Sequence, residues 1–249
     1  MGSKRKEFDI IKEYEPKNID KMVDVFGGAC NVSLFYKERG FKVHYNDLLE
    51  PLYKLIKAVS NKKDTEKLLK DYNKIDKTKE TFYKIFDKEI EMTDECRFLY
   101  LVSACFRSYF KTRTPKYHGG KFKIVDRNYL KDYHKYMKDM EITNQDYKEI
   151  LEKYKNDENA FLYLDPPYIS KTTKQYENEF TIKDLQYIKE YMSNYSNCKV
   201  MLHIDFTGYT YHEFKDMIKY VYPFTYNSST KKKDVRDVYE KYHMIICNF

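Results

Sequence analysis

With 249 residues the chain can bury a full core and carry one domain with a sizeable insertion. Its net charge of +7, mostly from Lys, suits a polyanionic partner or a merely soluble surface, and 27 Tyr supply rings for a core or for stacking on planar bases. Five scattered cysteines without a Cys-x-x-Cys pair argue against a disulfide framework or zinc; with no secretory segment and no 18-residue apolar run, an intracellular, reducing compartment and no membrane are expected.

Residues 22–25 form a β-prone run containing Asp24. Phe26, Gly27 and Gly28 follow, then Ala29, Cys30 and Asn31, where a helix can open. Paired glycines permit positive φ and let a ligand approach the backbone. A second strand is expected over 41–45, ending at Asn46 and Asp47. An acid about 20 residues beyond a glycine turn is the usual contact for ribose hydroxyls in nucleotide-binding α/β units. The turn lacks the Gly-x-Gly-x-x-Gly spacing of dinucleotide binders, which disfavours a dinucleotide.

Beyond Ser60 a Lys/Asp/Glu-rich helical stretch runs to residue 92, and Asp94 is expected to cap the next helix. Phe98, Leu101, Val102, Cys105 and Tyr109 recur at helical spacing on that helix. Its end leads into the sharpest basic and aromatic segment of the chain, with Arg107, Lys111, Arg113, Lys116, Tyr117 and Lys121. Cations there suit phosphates and the ring suits bases; the plainer reading is a solvated connection.

From Glu141 the alternation of strand and helix returns. A short strand, a helix from about Asp146 and the apolar run 161–164 come first. A helix over 182–191, a strand over 199–204 and a helix over 212–219 follow. A strand pair near 222–226 and 243–247 ends the chain, with the cluster Lys231, Lys232, Lys233 and Arg236 between its strands. This order predicts an α/β fold with a doubly wound, mostly parallel sheet. Residues 1–60 and 141–249 are expected to form one domain, with 61–140 inserted. No two histidines share a ligand-like spacing, and His203, inside a strand, is expected in the core or at its rim. No metal is expected.

The run 161–164 ends in Asp165-Pro166-Pro167-Tyr168. Each proline fixes its own φ near −65° and keeps the residue before it out of the helical region. The Asp165 carboxylate, the Pro166 carbonyl and the Tyr168 ring are thereby held together. Such a set can accept two N–H donors from an exocyclic amine while the ring packs on a planar base, the need of an enzyme that acts on flipped-out nucleobases.

Phe26-Gly27-Gly28, Asn46-Asp47 and Asp165-Pro166-Pro167-Tyr168, in that order, resemble the Dam-like DNA adenine methyltransferases that use S-adenosylmethionine. Weaker echoes are Gly2-Ser3-Lys4, which stands where the family has a Gly-Gly-Lys cofactor contact, Asp146-Tyr147, which looks like its adenine contact, and the segment 176–180. Asp24-Val25 replaces the usual Glu-Pro, and Cys30 a small residue. The resemblance implies a Rossmann-like methyltransferase fold with a small, mainly helical insertion that recognises the target. It implies methyl transfer from S-adenosylmethionine to the amino nitrogen of adenine in double-stranded DNA, with catalysis at Asp165, Pro166, Pro167 and Tyr168. Cofactor contacts are implied for Lys4, Asp24, Phe26, Gly27, Gly28, Ala29, Asn31, Asp47, Asp146, Tyr147 and Asp165, and DNA contacts for the basic segment. An RNA or protein-glutamine methyltransferase and a non-catalytic nucleic-acid-binding module stay open, as does a homodimer.

Overall fold

Strand β1 (Lys21–Asp24) alternates its side chains between two cores. Met22 faces one with Phe161, Tyr163 and Met201, while Val23 faces the other with Leu162, Val200 and Leu202. This period of two continues through β4 (Ala160–Leu164) and β5 (Lys199–Asp205). All five residues of β4 are buried, as a strand covered on both faces requires. Val32 and Tyr36 of α2 (Asn31–Glu38) join the first core, beside Ile11 of the short α1 (Phe8–Glu13). The second core receives α8 (Tyr147–Tyr154) and α9 (Ile182–Glu190).

The computed structural model describes residue 4 and residues 7–105, 117, 129–168, 180–225 and 240–249. Arg107, Lys111, Arg113, Lys116, Lys121, the cluster Lys231, Lys232, Lys233 and Arg236, and Tyr109 and Tyr176 lie outside the described residues. With β2 (Lys42–Asn46), β3 (Glu141–Thr143), β6 (Ile218–Thr225) and β7 (Glu240–Cys247), the sheet has seven strands in the order β3-β2-β1-β4-β5-β7-β6. The first five are mutually parallel and β7 runs antiparallel to both its neighbours. This is the mostly parallel, Rossmann-like sheet expected from the alternation of elements. The chain winds one way from β1 through β2 to β3 and the other way from β4 to β5. The crevice between the carboxyl ends of β1 and β4 is therefore the switch point where open α/β sheets bind ligands.

A third core joins α3 (Glu50–Val59), α4 (Lys62–Asn73), α5 (Lys79–Phe86) and α6 (Asp94–Ala104), with α7 (Tyr129–Tyr136) against them. Tyr45 and Cys30 reach into it from the sheet side. Local chemistry moves several boundaries from their expected places. The stretch 61–92 is two helices, because Asn61 caps α4 and the Thr78 hydroxyl caps α5. Thr93 occupies the cap position of α6, while Asp94 is its first residue and pairs with Lys54. The helical repeat stops at Ala104, and Cys105 turns extended and bridges to Tyr117. Thr207 and Thr210 form a reciprocal cap that starts α10 (Gly208–Phe214) earlier than expected, so β6 begins at Ile218. No helix among the described residues is long and apolar enough to cross a membrane.

Candidate active site

The turn after β1 is closed by backbone and by neighbouring strand ends. The Gly27 N–H donates to the Asn46 carbonyl at 2.7 Å, and a Cβ on Gly27 would fall 2.2 Å from the Tyr45 ring. Gly28 is half-buried with φ of +50°, a conformation that residues with a Cβ rarely adopt, and the Phe26 carbonyl oxygen lies 3.9 Å from the position its Cβ would take. Cys30 also takes the left-handed region, at φ +62°, immediately before α2. The Asp24 carboxylate, buried, accepts from the Ser33 N–H at 3.2 Å and the Ser33 hydroxyl at 2.7 Å, tying β1 to α2. Burial, together with the nearby charges of Asp165 and Asp47, outweighs those bonds and raises its pKa to about 7.

Asp47 shapes the same turn from β2. Its Oδ2 accepts from the Gly28 N–H at 2.8 Å and its Oδ1 from the Leu49 N–H at 2.8 Å. Each carboxylate oxygen has a further lone pair for a ligand hydroxyl. Burial raises the Asp47 pKa, with the two N–H donors opposing. Asn46 staples three strand ends: its amide donates to the carbonyls of Val25 (3.1 Å) and Gln145 (3.0 Å), and its Oδ1 accepts from Thr143 and from the Gln145 N–H, both at 2.9 Å. Asp146 caps α8 through the Lys148 N–H, and the Tyr147 hydroxyl donates to Asp184. The Tyr147 ring lies 5.4 Å from Phe26, whose other neighbour is Phe180 at 5.9 Å. Ala29 is exposed and Asn31 opens α2.

Across the crevice, β4 delivers Asp165 with a quarter of its side chain exposed. Lys4 meets it: Nζ lies 3.2 Å from Asp165 Oδ1, donates to the Tyr168 hydroxyl at 2.9 Å and stands 3.6 Å from Glu7 Oε2. Lys4 thus sits against the Asp-Pro-Pro-Tyr motif, beside Asp165, another of the expected cofactor contacts. Between the ends of β4 and β5, Pro166, Pro167, Phe180, Leu185 and Ile204 line a mostly apolar cavity of about 120 Å³ with Asp205 on its wall.

Tyr117, expected to face DNA, instead packs on Phe82 at 5.5 Å and donates its hydroxyl to the Lys77 carbonyl, since the bridge to Cys105 turns it into the helical layer. His203 is fully buried, as its strand position predicts. It does not stand alone: Glu7, His203 and His243 bring ligand-type atoms within 4.8 Å of one another. Spacing along the chain had no signal for this cluster, which joins residues from α1's leading edge, β5 and β7.

A model of the D12 class N6 adenine-specific DNA methyltransferases matches residues 1–243. The chain is also 24% identical over 257 residues to the Type II methyltransferase M.CviBI of Paramecium bursaria Chlorella virus NC1A, an alignment covering 100% of this chain and 97% of that protein. The glycine turn and the Asp165 motif, facing each other across the switch point, fit these matches, which set aside the RNA, protein-glutamine and non-catalytic readings. The chain belongs to the D12 class N6 adenine-specific DNA methyltransferases.

Proposed function

We propose that the methyl donor is S-adenosylmethionine, held on the β1–β2 side of the crevice, and that Asp165 and the Pro166 carbonyl receive the amino group of a flipped-out adenine on the β4 side. The observation that carries this reading is the juxtaposition of two strand ends: the half-buried, positive-φ Gly28 after β1 and the partly exposed Asp165 after β4. The residues present suit the cofactor. Gly28 puts no side chain over the turn, Asp47 offers carboxylate lone pairs for ribose hydroxyls, and Phe26 with Tyr147 offers aromatic surface for its adenine. Asp24 holds the turn to α2 from behind. When bound, the cofactor supplies an electrophilic methyl group on a sulfonium.

The amino lone pair of adenine is delocalised into its ring and is a poor nucleophile. Hydrogen bonds from its N–H groups to Asp165 and the Pro166 carbonyl favour a pyramidal nitrogen with its lone pair directed at the methyl group. The protein's work is alignment and electrostatics, with the acceptors fixed before the reaction by the two prolines. Asp165 need not be a strong base, since the methylated ammonium is itself acidic. Lys4 restrains Asp165 through Oδ1 and leaves Oδ2 to the substrate. The Tyr168 ring stacks on the extruded base and offsets part of the few kcal/mol that flipping costs.

Residues 61–140 serve as the target-recognition insertion, with Arg107, Lys111, Arg113, Lys116 and Lys121 neutralising phosphates of double-stranded DNA. Incubation with labelled S-adenosylmethionine and unmethylated genomic DNA, followed by methylation-aware sequencing, tests the whole reading. N6-methyladenine at a fixed motif is the expected product. Label that stays off DNA, or that resides on cytosine, overturns it.

A further inference from the structure

Beneath the Asp-Pro-Pro-Tyr motif lies a buried polar chain that the sequence motifs do not touch. Glu7 stands at the cap position of α1 yet makes no side-chain cap, because its carboxylate turns into the core. Its Oε1 accepts from the Tyr222 hydroxyl at 2.6 Å and lies 3.0 Å from His243 Nδ1 and 3.4 Å from His203 Nε2. His203 Nε2 is also 2.5 Å from the Tyr222 oxygen, and its Nδ1 is 2.7 Å from the Tyr163 hydroxyl. Glu7, His203, His243, Tyr163 and Tyr222 are all buried.

Donor accounting orders these protons. Tyr222 has one hydrogen, and it donates this in a hydrogen bond to an ionised Glu7. The Tyr222 oxygen must then accept from His203 Nε2–H, which leaves His203 Nδ1 to accept from Tyr163. His243 gives its Nδ1–H to Glu7. One assignment satisfies every one of these contacts with both imidazoles neutral and Glu7 anionic. The electrostatics agree. Burial opposes ionisation of Glu7, yet the neighbouring His203 and His243 imidazoles and the Lys4 charge hold it well below the usual carboxylate range, while burial and Lys4 push His203 down to about 4. The same atoms are of a type that ligates divalent metals. However, the Tyr222 hydroxyl is wedged between two of them, and an ammonium stands 3.6 Å from the carboxylate.

The network ends at the reacting motif. Glu7 Oε2 faces Lys4, Lys4 reaches both Asp165 and Tyr168, and the His243 ring supports the Tyr168 ring edge-on at 5.4 Å. We propose that Glu7 is a positioning residue for methyl transfer: it shares the Lys4 ammonium with Asp165 and so fixes Asp165 and Tyr168 against the target base. This rests on the reading of Asp165 as the acceptor of the adenine amine. An ammonium paired with Asp165 alone would draw the carboxylate's charge to itself and weaken it as an acceptor of N–H. Divided between two carboxylates, it orients Asp165 and leaves the group of three with a net negative charge.

The test is a double-mutant cycle on the full-length protein with DNA and S-adenosylmethionine. Glu7→Gln keeps the shape and an acceptor oxygen and removes the charge. It should lower kcat roughly 10- to 100-fold, the scale for outer partners of a reacting group, with both KM values within about threefold. In a Lys4→Met background the same substitution should change kcat less than about twofold, since its effect passes through Lys4. Tyr222→Phe, which removes one donor to Glu7, should lower kcat by several-fold and show the same dependence on Lys4. Independent, multiplicative effects of Glu7→Gln and Lys4→Met overturn the proposal, as does wild-type kcat in Glu7→Gln, or activity lost to EDTA and restored by Zn²⁺. Asp165→Ala separates the two levels. Full activity in that variant removes the underlying reading, whereas an inactive Asp165→Ala beside a multiplicative cycle removes only the role of Glu7.

Discussion

The two walls of the crevice are built by different physics. On the β1–β2 wall, apart from the staple of Asn46 to Thr143 and Gln145, the fixing contacts are short in sequence: Ser33 to Asp24 across 9 positions, Tyr45 to Gly28 across 17, Gly28 to Asp47 across 19 and Asn46 to Val25 across 21. Most involve main-chain groups, so the cradle forms wherever one strand-turn-helix-strand unit forms. On the β4 wall, Lys4 reaches Tyr168 across 164 positions, Tyr222 reaches Glu7 across 215 and His243 reaches Glu7 across 236. That wall depends on charged groups and exists only once both ends of the chain have docked. Binding of the donor and activation of the acceptor should therefore separate under mutation.

The strongest break is Asp165→Ala. Losing a preorganised hydrogen-bonding group in a reaction of this kind costs about two to three orders of magnitude in kcat. Tritium transfer to DNA measures that loss, and calorimetry should find S-adenosylmethionine affinity within about threefold of wild type. A parallel fall in cofactor affinity would mean that the walls act as one.

Asp47→Ala is the converse. It removes the lone pairs proposed to meet the ribose and strips the Gly28 and Leu49 N–H groups of their acceptor. A charged hydrogen bond contributes about 1.5–3 kcal/mol, so cofactor binding should weaken roughly 10- to 100-fold while kcat at saturating cofactor changes little. Unchanged affinity by calorimetry would reduce Asp47 to a brace of the turn.

Tyr168 sharpens the contrast further. Tyr168→Ala removes a stacking face worth about 1–3 kcal/mol per base and should lower turnover on duplex DNA by roughly tenfold or more. Tyr168→Phe keeps the face and loses only the hydroxyl that accepts from Lys4, so its effect should be smaller. With 2-aminopurine at the target position, wild type and the Phe variant should both brighten the probe, and the Ala variant less. Equal brightening by all three proteins would assign the grip on the base to another residue.

This difference in build also explains what the sequence could reveal. The glycine turn, Asp47 and the Asp-Pro-Pro-Tyr exit are read directly because their chemistry resides in adjacent residues or in one βαβ unit. The mostly parallel sheet and the burial of β4 follow from the alternation of elements and the apolar run at 161–164. Glu7 carries no local signal: it sits in a charged, helix-prone stretch, and only tertiary docking turns its carboxylate inward. His203 is readable as a core residue, but not as the neighbour of His243, because antiparallel pairing of β5 with β7 sets that contact. Tyr117 misleads for a similar reason. A ring among lysines resembles a base-stacking surface until the bridge to Cys105 turns it onto Phe82.

The smallest effect tests the cradle by pH. Burial, the largest cause, lifts Asp24 to about 7 in the folded protein, against an ordinary value near 4 in the unfolded chain. The folded state thus binds the extra proton, and this contribution to stability is fully present below about pH 4 and is lost as pH rises through about 7. Two histidines act in the opposite direction. Burial first, then the charge of Lys4, pushes His203 down to about 4, and burial likewise lowers His44 to about 4. In that range the unfolded chain takes up more protons at these two positions, so their contribution rises with pH between about 4 and 6.5. The wild type sums opposing slopes and should show a muted pH dependence. Asp24→Asn keeps an acceptor for the Ser33 hydroxyl and N–H but deletes the falling slope. The difference in melting temperature between variant and wild type should therefore move in the variant's favour from pH 4.5 to pH 7.5. A shift of about 1 kcal/mol corresponds to roughly 2–4 °C for a chain of this size. A constant difference across that range would mean that Asp24 stays ionised in the folded protein and that the cradle, like the β4 wall, carries a buried charge.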